Sequence, residues 1–107
     1  MKKIQLSALL FLFLMPFALI SRSIDKNSCT FNGKKLYGKI QIVTSFPDVK
    51  VQVVTSFPDL KVEMVNSFPS KCGQWQSVTS FPDTKVQFVT SFPDVKIQYV
   101  NSFPGMP

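Results

Sequence analysis

The chain has 107 residues, enough for one domain and barely enough for a self-sufficient core. It has no histidine and only two cysteines, which removes the usual base of Ser or Cys nucleophiles and leaves no set of zinc ligands. The formal net charge of +6 is basic, but Lys2, Lys3 and Arg22 supply half of it, so residues 24–107 carry a mild +3 that gives nucleic-acid binding little support.

In chain order the first element is a leader. Met1-Lys2-Lys3 is a short basic start, Leu6 to Ile20 is almost wholly apolar, and Ser21-Arg22-Ser23 is small and polar. This pattern predicts a secretory signal peptide over residues 1–23. The apolar run is short for a membrane span, which takes about 20 residues. The expected product is secreted or periplasmic, with no stable membrane insertion after cleavage. Residues 24–38 follow as a cap segment, in which Asn32-Gly33 is a hairpin turn signal. Cys29 in this segment and Cys72 in the middle of the repeats predict one disulfide, because an exported chain meets an oxidising compartment.

Residues 39–107 form six copies of one unit. Phe-Pro pairs start at 46, 57, 68, 81, 92 and 103, with spacings of 11, 11, 13, 11 and 11; the excess lies around Cys72-Gly73. A longer period is superimposed. Thr44, Thr55 and Asn66 are matched by Thr79, Thr90 and Asn101, and Asp48, Asp59 and Ser70 by Asp83, Asp94 and Gly105. The chain is a triplet used twice. In each copy a β-branched run such as Lys50-Val-Gln-Val-Val-Thr-Ser reads as a strand, and Phe-Pro-Asp as a turn in which proline fixes φ and holds the preceding Phe extended.

Alternation places Val51, Val53, Thr55 and Phe57 on one face, the expected core. Val54 and its equivalents are identical in every copy, whereas the Val53 position holds Ile42, Met64, Ser77, Phe88 and Tyr99. That uniformity marks Val54 as buried too, with a β-bulge to reconcile the faces. The expected repeat core is therefore Val51, Val54 and Phe57 in one copy and Val86, Val89 and Phe92 in another. One unit cannot bury its own apolar side, so the fold is all-β, with copies covering one another. The triplet favours a short three-sided solenoid of two coils, in which repeats one and four lie side by side. The alternative is a closed ring of six units, which leaves no free edges.

No catalytic constellation emerges, and no cofactor or metal site is expected. Four of the six acids are the same turn residue repeated, which reads as turn stabilisation rather than a carboxylate pair or a calcium ladder. The threonine row is broken by Asn in both triplets, which argues against a flat ice-binding ladder. Trp75, beside the insertion, reads as a plug for the irregularity. The Lys-Val-x-Val-Val cadence, repeated through Lys39 to Pro104 after a leader, resembles small exported bacterial proteins of unknown function built from 11-residue β units. The resemblance implies a compact pseudo-symmetric solenoid or flower-like barrel and carries no functional residues. The expected function is a non-enzymatic structural or binding module for a protein or glycan; the alternative is a membrane-active, toxin-like effector using exposed Phe.

Overall fold

The computed structural model describes residues 23–107, so the leader expected over residues 1–23 lies, but for Ser23, outside the described residues. Nine strands and no helix occur among the described residues. Three short strands, β1 (Ile24–Asp25), β2 (Thr30–Phe31) and β3 (Lys34–Lys35), pair as an antiparallel meander. Six more follow, one per repeat: β4 (Gly38–Ile42), β5 (Val49–Val53), β6 (Leu60–Met64), β7 (Gln74–Ser77), β8 (Thr84–Phe88) and β9 (Val95–Tyr99). β4 begins at Gly38, within the stretch read as the cap.

The six repeat strands are all parallel and close into a barrel with the ring order β4-β7-β6-β9-β5-β8. The closed six-unit ring is thus the fold, and the two-coil solenoid is corrected. Closure pairs every strand on both sides and removes the free edges that two coils would leave. The triplet period has a different meaning in a ring. Strands β4, β5 and β6 occupy alternate places, and β7, β8 and β9 fill the gaps between them. Repeats one and four do lie side by side, but as neighbours in an interleaved circle rather than as stacked coils.

Parallel strands are ordinarily joined by crossovers of a dozen residues or more. Here six residues suffice between β4 and β5, because the strands are steeply staggered. Ile42, which ends β4, is level with Val86 of β8, and Val86 is level with Val49, which begins β5. The linker therefore gains no height and steps over one intervening strand. Ile97 plays the same part between Val53 and Leu60, Ile40 between Ser77 and Thr84, and Val51 between Phe88 and Val95.

The exception falls after the third repeat. Two steps of two places leave β6 so that a third would land on β4, and β7 must instead slot in beside β6. The insertion at Cys72-Gly73 makes that shorter, one-place step. Gly73 has φ +86°, and a Cβ there would overlap the Lys61 carbonyl oxygen, so only glycine fits.

Inward residues form layers. Ile40, Val51, Val62, Trp75, Val86 and Ile97 make the middle one, each no more than 1% exposed. Below them Val49, Leu60, Thr84 and Val95 are equally buried. Burying each aliphatic side chain contributes about 1.5–3 kcal/mol. The meander closes the lower end, with Phe31, Leu36 and Cys29 joining the core cluster. The buried Thr84 hydroxyl donates to the Lys35 carbonyl at 2.8 Å and the Trp75 indole N–H to the Leu36 carbonyl at 3.0 Å. No buried side-chain polar atom among the described residues lacks a partner.

Candidate functional site

The repeat signature explains how the linkers are seated. The linker from Val43 to Asp48 crosses the outside of β8 and is fastened to three consecutive residues there. The Val43 N–H donates to the Val86 carbonyl, and the Gln87 amide donates to the Thr44 carbonyl at 3.1 Å. The Asp48 N–H donates to the Lys85 carbonyl, and the Lys85 N–H donates back to the Asp48 carboxylate at 2.8 Å. The same fastening recurs at Asp59 over β9, Asp83 over β4 and Asp94 over β5. The four turn acids are therefore committed to the backbone of the strand they cross. A carboxylate accepting a backbone N–H is among the stronger hydrogen bonds.

In the sixth copy Gly105 stands where four other copies have Asp. The Val100 N–H donates to the Val62 carbonyl, and Gly105 pairs with Lys61 through two backbone bonds of 2.7 and 2.9 Å. The chain's final segment thus lies over β6 as a linker would.

This arrangement corrects the expected core at its Phe positions and in part at Val54 and Val89. Val51 and Val86 are 0% and 1% exposed, but Phe57 and Phe92 are 90% and 91% exposed. All six Phe of the Phe-Pro corners share that exposure, from 88% to 91%. Alternation holds only while the ladder continues, and the strands end at Val53 and its equivalents, before Phe is reached. The Phe backbone is not extended either. Its φ lies between +51° and +55° in every copy, the left-handed region. The corner is needed because the chain must turn from the top of one strand, across a second, to the foot of a third. Val54 and Val89 are half-buried, neither core nor exposed. Their N–H groups extend the ladder to Ile97 and Val51 as the linker departs, so every copy has the same task for them, with the ladder continued into the linker.

The upper end of the barrel differs from the lower. In ring order it presents Ile42, Ser77, Met64, Tyr99, Val53 and Phe88, all from the position that varies most between copies. Its large apolar members are 40–49% exposed. All of them but Val53 line a cavity of about 110 Å³ whose walls also include Ile40 and Trp75. Burial raises the Tyr99 phenol above its ordinary range, so it stays a neutral hydroxyl. Sequence reasoning singled out this position as variable but placed it in the core. The signal available was that variation itself, since a closed layer of a pseudo-symmetric ring would repeat one or two shapes.

Cys29 and Cys72 are disulfide-bonded, with Cα atoms 5.7 Å apart and a sequence separation of 43. The bond ties the meander to the irregular linker. Among the described residues no group of three His, Cys, Asp or Glu is placed to hold a metal ion, and no helix is long and apolar enough to cross a membrane.

A closed, parallel, six-stranded barrel whose chain passes over its own strands defines a class by its path rather than by its chemistry. The sequence model of the 7(1) septoil knot domain matches residues 33–107, and the chain belongs to that family. It is also 72% identical over 53 residues to an uncharacterized protein of Synechocystis sp., slr1025; the match covers 50% of this chain and 47% of that relative. The chain thus spans about half the length of the curated relative it matches.

Proposed function

We propose that this protein is an exported, non-enzymatic binding module whose repeated Phe-Pro corners engage a neutral, repetitive glycan. The observation that carries this reading is the set of six Phe side chains about 90% exposed on left-handed backbone. A bulky residue in that conformation costs about 1–2 kcal/mol. Gly or Asn would serve the corner better, and at such exposure the ring returns no burial energy. A costly residue used six times with no internal benefit points to an external partner.

The chemistry around each ring favours a glycan. Thr-Ser or Asn-Ser precedes every Phe, so each corner offers an apolar face beside exposed polar groups. From the mouth residue to Pro no copy carries a charge, as in residues 53–58. Six equivalent corners suit a polymer that repeats, because linked weak contacts add up to avidity. The absence of histidine and the use of four Asp as backbone acceptors support a non-catalytic role. The disulfide is compatible with an extracellular or periplasmic site.

Sedimentation with insoluble neutral polysaccharides such as cellulose, chitin and α-glucan tests the proposal on the oxidised chain. Binding should fall steeply as Phe46, Phe57, Phe81 and Phe92 are changed cumulatively to Asn, while stability stays level or rises by up to about 1 kcal/mol per corner. Undiminished binding in the fourfold variant would overturn the assignment to the Phe corners, and a wild-type chain that sediments with none of these polymers would overturn the glycan reading. Leakage of anionic vesicles by the wild-type chain, abolished in the same variant, would instead assign the Phe corners to membranes.

A further inference from the structure

We infer that the upper mouth of the barrel is a second binding site, for a single neutral aromatic ring carrying a hydroxyl. The first ground is its pattern of variation. The six mouth positions hold six different residues, although the ring gives each strand an equivalent environment. A position free to drift at 40–49% exposure would have accepted charge somewhere among its copies, yet five of the six remain large and apolar. The mouth has been made asymmetric while being kept oily.

The second ground is shape. In ring order Phe88, Val53 and Tyr99 are contiguous, and Ser77 stands directly across from Val53. Ser77 is small, it sits two residues above Trp75 on the same strand, and it leaves a notch in the wall over that indole. The cavity of about 110 Å³ is somewhat smaller than the engineered cavities of about 150 Å³ that accept benzene. Its opening lets a substituent project outward.

The third ground is charge. No ionisable group lines the cavity except the Tyr99 phenol, which burial keeps neutral. A carboxylate or ammonium brought there would lose water with no counter-charge to meet it. A hydroxyl, by contrast, has the Ser77 and Tyr99 hydroxyls at the rim as partners. The site therefore selects a phenol over benzoate or anilinium. Nothing in it involves the Phe-Pro corners, so it stands independently of the glycan reading.

Trp75 is the sole tryptophan and forms part of the cavity wall, so its fluorescence reports occupancy directly. Titration of the oxidised protein with p-cresol should give a saturable change, absent with benzoate. Ser77→Leu fills the notch and should weaken p-cresol binding roughly tenfold or more. Ser77→Ala, which leaves the space open, should keep most of it, and Phe57→Asn should leave it unchanged. An unsaturable response, equal affinity for benzoate, or full affinity in a Ser77→Leu protein with native near-ultraviolet dichroism would each overturn the site. A fluorescence change that tracks protein concentration without probe, together with dimers in sedimentation, would give the mouth to a second copy of the chain and overturn the small-ligand inference.

Discussion

The two ends of the barrel are built from the same six strands and have opposite characters. At the lower end a meander, a disulfide and two hydrogen bonds from the buried Thr84 and Trp75 side chains close the core against water. At the upper end the same strands finish in a ring of half-exposed apolar residues around an open cavity. The repeat dictates the wall, and what differs is whether another piece of chain lies across the opening. Stability is therefore concentrated below and freedom to vary above, as in folds whose scaffold and binding loops occupy opposite faces.

The largest test of that contrast removes the staple. Replacing Cys29 and Cys72 with Ser should cost up to about 4 kcal/mol, the chain-entropy value for the 43-residue separation, read as a lower denaturant midpoint. A loss below about 1 kcal/mol would mean that the meander holds its place without the bond. Next comes a matched pair on one strand. Val51→Ala should cost about 2 kcal/mol, since two buried methyl groups and the space they leave are both lost. Val53→Ala, one layer up, should cost less than about 0.5–1 kcal/mol. Equal losses at the two positions would show that the mouth is packed like the interior. Smallest is Thr84→Val, which keeps the shape and strands the Lys35 carbonyl, for about 1 kcal/mol.

Much of this fold was legible in the residues. The eleven-residue period, the strand runs, the sulfur pair and the closed ring as an alternative all follow from spacing and composition. The interleaving was not, although its trace was visible. The departures at Asn66 and Ser70 mark where the path changes step, and those at Asn101 and Gly105 the segment seated over β6. Sequence shows that two copies differ from the rest, but not which strand each passes over, because that depends on stagger. The Phe positions misled for a related reason. Alternation carried through Val53 to Phe57 assumes one unbroken strand, and the hydrogen bonds of Val54 and Asp59 show the chain bridging two sides of β9 instead. The mouth went unrecognised because an inward-pointing side chain and a buried one are the same thing everywhere except at the rim of a barrel.

The alternate seating of the two triplets bears on how such a protein can be made. Strands from the first three copies never pair with one another; each shares its ladders only with strands contributed by the second three. A nascent chain stopped after the third copy has no barrel ladder to form, so closure waits for the second three copies, and slow, non-local folding is the expected result. The same geometry allows two separate half-length chains to complete a barrel together, a route by which a dimeric ancestor becomes one gene through fusion.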